Sequence, residues 1–411
     1  MRSRAGKGYC LLFACVACGG VLLFLVLGPT RVAILAMTAL RHPPQVFVVD
    51  PASARTNAKD SGVTNTLYGF TPFPYDDTLT ALKRTHDFIV PNSTLYALHF
   101  DDGIPWREAL ADAPFPDRIR REWNDMAKAI PKGHIVYLAF APLDTDRKSL
   151  APATGNEKRL PLPAELRDAP LDDPKVKRAY LNYARRAVRL FHPYYLNLGI
   201  EAGEVLSRDF DRWPRFVGLY DYVRAALKRE YPRMQIGISF GLGDLRADRE
   251  AKAARVLIDK CDYVGLSFYP YASAFEEVFG APPYGNGPDS WRKPLAWVRA
   301  YTSKPIAICE TGYSTQTVDI PQFGLHMPGG PEMQTAYVRD LFEISGRDHY
   351  AFVIWFLAVD YDRLYAKMPP GSDAMKLWRN IGLIDGELRA KPAWEIWQAG
   401  VAASLKRGRY R

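Results

Sequence analysis

Two glutamates stand where apolar runs stop. Glu201 closes Tyr195-Leu196-Asn197-Leu198-Gly199-Ile200-Glu201, and Glu310 closes Pro305-Ile306-Ala307-Ile308-Cys309-Glu310. Two carboxyl groups about 5–5.5 Å apart can break an acetal, one protonating the departing oxygen while the other attacks the carbon it leaves. Such an acid must hold its proton near neutral pH, which partial desolvation and a neighbouring carboxylate both promote. The competing reading of either glutamate is an ion pair with a lysine or arginine at the rim. Glu204, three residues past Glu201, is the reserve candidate for the acid.

A second group of residues could bind rather than react. His99, Asp101 and Asp102, just before Gly103, could clasp hydroxyl groups in bidentate fashion; the alternative is an Asx-type turn beside a satisfied histidine. Trp355 ends another apolar run, where its ring could serve as a stacking platform, whereas Trp213, Trp297 and Trp394 lie on helical patterns and are expected in the core. None of the histidines falls in a His-Glu-x-x-His or similar spacing, so no metal is expected. Gly241-Leu242-Gly243 lacks the third glycine of a dinucleotide loop, and no cofactor is implied.

These residues need a frame. Strand-like apolar runs cover residues 67–70, 88–90 or 95–100, 135–140, 195–200, 235–240, 263–268, 305–309 and 351–356. Helical patterns alternate with them at 175–191, 213–231, 249–260, 290–302 and 331–344, and a last one covers 392–405. Strict alternation implies parallel strands joined by right-handed crossovers, and eight such units favour a closed (β/α)8 TIM barrel over an open doubly wound sheet. The runs are almost continuously apolar, as strands covered on both faces should be. In such barrels chemistry gathers at the carboxyl ends of strands, which is where Glu201 and Glu310 are expected.

The same segments resemble the clan A glycoside hydrolases, eight-stranded barrels whose acid/base glutamate ends strand four and whose nucleophile ends strand seven. Lys304-Pro305 leading through a β-run to Glu310-Thr311-Gly312-Tyr313 is similar to the nucleophile strand, and Cys261 to Pro270 is similar to strand six, whose terminal tyrosine, here Tyr269, contacts the nucleophile. Trp355 matches the strand-eight aromatic that floors a sugar subsite, and Gly382-Leu383-Ile384-Asp385 with Lys391-Pro392-Ala393 is similar to the closing segment. The likeness spans about residues 66–400 and implies a retaining β-glycosidase acting on a β-linked oligo- or polysaccharide. Ile200 departs from it, since members carry asparagine there to hold the sugar's 2-hydroxyl. Asn197 or Glu204 would have to substitute for a contact worth on the order of several kcal/mol in the transition state. That departure motivates the alternative, a non-catalytic carbohydrate-binding barrel. A hydrolase on an open sheet is a further alternative, although no Gly-x-Ser-x-Gly elbow is present.

Charge and composition set the surroundings. With 48% apolar and 24% charged residues among 411, the chain is neither disordered nor a low-complexity repeat. The formal charge of +9 sits at the ends: the first 41 residues carry five cations and no acid, and residues 406–411 carry four more. The body is balanced, which argues against a nucleic-acid footprint. Three cations precede an uncharged stretch from Tyr9 to Leu27, long enough to cross about 28 Å as a helix. Residues 1–41 therefore read as a signal or membrane anchor, 42–65 as a linker, 66–405 as the barrel and 406–411 as a basic tail. The expected location is exported, either membrane-anchored facing the periplasm or cell exterior, or secreted after cleavage. Cys10, Cys15 and Cys18 lie within the first segment, and Cys261 and Cys309 on strands, so no disulfide framework is indicated.

Overall fold

The computed structural model describes residues 45–49 and 65–408. Eight strands carry the fold: β1 (Leu67–Phe70), β2 (Leu95–Phe100), β3 (Ile135–Phe140), β4 (Tyr195–Asn197), β5 (Gln235–Gly241), β6 (Val264–Phe268), β7 (Ile306–Thr311) and β8 (Phe352–Trp355). All their pairings are parallel, in the order β1-β8-β7-β6-β5-β4-β3-β2. The two ends of that order meet at a seam, where the Thr94 N–H donates to the Tyr68 carbonyl at 2.7 Å and the Tyr68 N–H donates to Thr94 Oγ1 at 2.8 Å. A threonine hydroxyl thus takes the place of a ladder carbonyl, and a nearly closed (β/α)8 barrel results.

The choice between residues 88–90 and 95–100 falls on the latter, because Phe88 and Ile89 finish the helix Leu79–Ile89. Strand four is shorter than its apolar run: its last paired residue is Asn197, after which the Leu198 N–H donates to the Gly237 carbonyl and the Gly199 carbonyl accepts the Ser239 N–H, both at 3.1 Å, before the chain turns away. The helices Pro174–Phe191, Trp213–Glu230, Asp248–Ile258, Asp289–Tyr301, Pro331–Arg347 and Pro392–Gly408 lie close to the stretches read from periodicity. Local chemistry sets their ends. Pro174 opens its helix after Asp173, whose carboxylate accepts the Lys175 N–H at 2.7 Å, and His192 closes it in the left-handed region at φ 48°.

Two apolar cores hold the frame. Outward side chains of the strands pack on the helices, while the barrel interior is filled by Tyr137, Tyr195, Tyr263 and Phe352 with small neighbours such as Ala97, Ala139 and Ala307. Phe352 lies 4.9 Å from both Tyr137 and Tyr195 and 5.4 Å from Tyr263, centroid to centroid. Burying each such ring stabilises the fold by about 1.5–3 kcal/mol. With its lower end plugged, the barrel leaves its carboxyl end for a site.

Part of the stretch read as linker is docked. The Phe47 N–H donates to the Arg246 carbonyl at 2.8 Å, and Trp297 Nε1 donates to the Phe47 carbonyl at 2.7 Å. The apolar run at residues 9–27 and the last residues of the basic tail lie outside the described residues. Among the described ones, no helix is long and apolar enough to cross a membrane.

Candidate active site

Alternation along β7 would place Ala307 and Cys309 inside the barrel and Glu310 outside, among the helices. A bulge reverses this. On one side β6 pairs Leu266 with Ile308 and then Ser267 with Glu310; on the other, β8 pairs Val353 with Ile308 and then Trp355 with Thr311. The extra residue in β7 switches the parity and re-aims Glu310 into the barrel mouth, on the same side as Ser267. Thr311 then anchors the strand end by donating from Oγ1 to the Phe268 carbonyl at 2.6 Å.

Both oxygens of Glu310 have company. Tyr269 Oη donates to Oε2 at 3.1 Å, and His99 Nδ1 from β2 lies 3.6 Å from Oε1. The other histidine nitrogen, Nε2, stands 3.8 Å from Asp101 Oδ2, an ion-pair distance beyond a hydrogen bond. An aromatic shell dries this group: Phe73 packs edge-on to His99 at 5.6 Å and to Phe356 at 5.8 Å, and Phe356 to Tyr269 at 6.1 Å. Burial and the charge of Glu201 push the Glu310 pKa from its ordinary 4.5 to about 8, against the opposing pull of His99 and the Tyr269 hydroxyl. Burial would lower the His99 pKa, but Asp101, Glu310 and Glu201 outweigh it, and the net displacement is upward.

Glu201 is delivered by a turn rather than by a strand end. Its φ is 48°, a left-handed conformation uncommon for a residue with a side chain. Ser239 of β5 holds the turn: its Oγ accepts the Glu201 N–H at 2.9 Å and the Asn197 Nδ2 at 3.0 Å. Asn197 also donates to Tyr137 Oη at 3.0 Å and accepts the Gly199 N–H at 3.0 Å, with 0% exposure. It is a strut under the site, which corrects its expected place as a sugar ligand. Ile200 points into the barrel core at 4% exposure, so this position offers a substrate nothing polar.

The ion-pair reading of Glu201 is realised as well. Arg147 Nη2 donates to Glu201 Oε2 at 2.9 Å while its Nε donates to Glu204 Oε2 at 3.0 Å, and Arg208 Nη2 lies 3.1 Å from the same Glu204 oxygen. The Glu201 side chain nevertheless keeps 22% exposure and lines the same cleft as Glu310. Burial and the Glu204 charge raise its pKa more than Arg147 lowers it.

That cleft spans ≈ 880 Å³ when the solvent of its open mouth is counted. It brings together Glu201, Glu204, Tyr269 and Glu310 with four groups the apolar runs did not flag: Arg208, Asp244, Glu276 and Trp378. Trp355 is absent from it. Its ring is 0% exposed, faces outward onto Tyr337 and Trp397, and donates from Nε1 to the Ile381 carbonyl at 2.8 Å, so it cannot be a stacking platform. The inward residue of that strand end is its neighbour Phe356, and the half-buried ring on the cleft wall is Trp378, 6.3 Å from Tyr269. Asp102 is also displaced: it accepts from Lys158 Nζ at 3.4 Å and lines a separate crevice with Arg118 and Glu122. Asp101 is buried behind His99 and does not line the cleft. Ser267, two residues before Tyr269, was within reach of a period-two reading of the strand-six motif; Trp378 comes from the long excursion after β8 and carried no such signal.

No family model matches the chain, and no curated protein matches it. Solved structures do. An exo-β-1,4-mannosidase from Opitutaceae bacterium strain TAV5 superposes with a TM-score of 0.61 at 14% identity, over 84% of this chain and 61% of that one. This chain therefore spans about three fifths of the mannosidase's length. The enzyme GH5_18 from Streptomyces cattleya, solved in complex with GlcNAc, superposes with a TM-score of 0.55 at 14% identity, over 85% of this chain and 81% of that one. The likeness is one of fold: both are matched by the eight parallel strands of the barrel.

Proposed function

We propose that this barrel is a retaining β-glycosidase that hydrolyses a β-linked oligo- or polysaccharide. The observation that carries the reading is the placement of two carboxyl groups with raised pKa values, the half-buried Glu201 and the buried Glu310, on one cleft at the carboxyl end of the barrel. Glu310, oriented by Tyr269 and faced by His99, attacks the anomeric carbon as a carboxylate. Glu201 gives its proton to the departing glycosidic oxygen, leaving an ester between sugar and Glu310. Glu201 then takes a proton from water, which attacks the same carbon and releases Glu310 with net retention. The pair shares one proton near neutrality because the charge of Glu201 opposes the ionisation of Glu310. Trp378 supplies a ring face for a sugar. The charge pattern of residues 1–41 supports an exported glycan as substrate, met at the membrane or outside the cell.

The Arg147–Glu201 pair and the apolar Ile200 favour one competing reading, a barrel that binds glycan without cleaving it. Leaving-group dependence separates the two. Glu310→Gln is expected to lower hydrolysis of every β-glycoside by roughly 10⁴-fold or more. Glu201→Gln is expected to spare activated aryl β-glycosides, which need no protonation, while abolishing cleavage of glycans. Full aryl-glycoside turnover by Glu310→Gln, or equal loss on both substrate types from Glu201→Gln, would overturn the assignments; binding without turnover by the unmodified chain would establish the competing reading.

A further inference from the structure

The acids of the cleft are not equally partnered. Glu201 and Glu204 share Arg147 and Arg208, and Glu310 faces His99. Asp244, in the short helix Leu242–Arg246 after β5, and Glu276, in the short helix Ser273–Val278 after β6, line the same cleft; Arg208 and Ser207 act on the first and the Tyr284 hydroxyl and Arg246 on the second, yet neither lies within ion-pair distance of a lysine, arginine or histidine among the described residues. The nearby Arg246 is committed elsewhere: its Nη1 donates to the Pro283 carbonyl at 3.2 Å, and its guanidinium lies 5.4 Å from the centre of the Tyr284 ring. Tyr284 Oη donates to Glu276, and Gly243 makes room for both, since an added Cβ there would collide with Glu276 Oε2 and lie 3.0 Å from Tyr284 Oη.

A second polar group waits on the same wall. Ser267 is 4% exposed, faces the barrel mouth beside Glu310, lines the cleft, and its Oγ finds no hydrogen-bond partner among the described residues. A buried hydroxyl left unpaired is destabilising, and a ligand donor or acceptor would recover that loss. The missing partner of the carboxylates is of opposite sign. No three His, Cys, Asp or Glu side chains among the described residues converge as they would to hold a metal ion.

We propose that the cleft recognises an amino-sugar oligomer whose nitrogens are free and protonated, with Asp244 and Glu276 receiving an ammonium group and Ser267 a neighbouring hydroxyl. The inference deepens the glycosidase reading and rests on it for the path of the glycan. Burial first, and repulsion within the acidic group second, raise the pKa of Asp244 to about 7 and that of Glu276 to about 8, a displacement that an arriving ammonium would reverse.

Titration calorimetry of the full chain near neutral pH, with a β-1,4-linked glucosamine tetramer and its fully N-acetylated counterpart, tests this. The free-amine tetramer is expected to bind about 10-fold tighter or better, and the preference to vanish in the Asp244→Asn/Glu276→Gln variant. Equal or stronger binding of the acetylated tetramer, or no binding of either, overturns the inference on the unmodified protein alone, with no dependence on how the variant folds. Persistence of the preference in the folded double variant overturns the assignment of the two carboxylates. Chromatography of the same mixtures keeps the two proposals apart: selective binding without cleavage defeats the glycosidase reading only, and cleavage of neutral glycans without amine preference defeats this one only.

Discussion

Holding a proton on the interacting pair Glu201 and Glu310 is a property of the folded site that the unfolded chain lacks, and it has a thermodynamic signature. The folded pKa of Glu310, about 8, lies above the ordinary 4.5, so between those values the native state retains a proton that the unfolded state has released. Stability then falls as pH rises through that window and levels off above it. Asp244 and Glu276 act in the same direction. Glu310→Gln removes one contributor while keeping the shape and the Tyr269 hydroxyl contact. Thermal unfolding should therefore show a higher melting temperature for the variant at pH 8 than for the unmodified chain, with a smaller gain near pH 5. An equal gain at both values would mean that the folded carboxyl pair holds no proton beyond those the unfolded chain holds. The residue scale is also where sequence reading was most uneven. Glu310, Tyr269 and Glu201 sit in strand-end motifs and were legible. Trp355 was not, because one step along a strand exchanges inside for outside: β8 alternates regularly, with Phe352 and Ile354 inward and Val353 and Trp355 outward. Asp102 failed for a related reason: adjacent residues after a strand diverge, and only His99 of that group turns toward Glu310.

At the scale of elements, apolar runs located seven strands well because parallel strands buried on both faces need no polar face. Strand four broke the rule. Leu198 and Ile200 are as buried as strand residues, and the Leu198 N–H and Gly199 carbonyl still bond β5, yet regular pairing ends at Asn197, and burial alone does not reveal where it ends. The bulge in β7 was equally invisible, since nothing in Ile308-Cys309-Glu310 distinguishes an extra residue from a regular one. Its packing has a clear requirement, however. Cys309 is pressed against Gly265 of β6, where an added Cβ would stand 2.5 Å from Cys309 Sγ and 3.0 Å from the Ile238 carbonyl. Gly265→Ala should force the bulge to relax, costing about 1–3 kcal/mol in denaturant unfolding. Because the bulge aims Glu310, turnover should fall more than the stability loss explains at temperatures where the variant is fully folded. Unchanged turnover in a folded variant would show that the bulge does not set the position of the carboxylate.

Across the whole molecule, alternation of eight strands with helices made the barrel legible, whereas the manner of its closure was not. His99 arrives on β2 and Glu310 on β7, so their 3.6 Å approach depends on the sheet coming round to the seam between β1 and β2. That seam relies on Thr94, whose N–H and Oγ1 both engage Tyr68. Nothing in Ser93-Thr94-Leu95 marks a threonine that stands in for a backbone acceptor; a hydroxyl at a strand entry reads as ordinary turn chemistry. Thr94→Val keeps the shape and the backbone N–H but removes the acceptor of the Tyr68 N–H, leaving that donor unpaired near the core. The expected cost is about 1–3 kcal/mol in unfolding free energy. Closure should loosen locally before the fold is lost, so amide hydrogen exchange at Tyr68 should accelerate while amides in β5 and β6, on the far side of the barrel, keep their protection. If protection fell evenly around the barrel, the seam would be no weaker than any other strand pair, and the approach of His99 to Glu310 would have to be secured elsewhere.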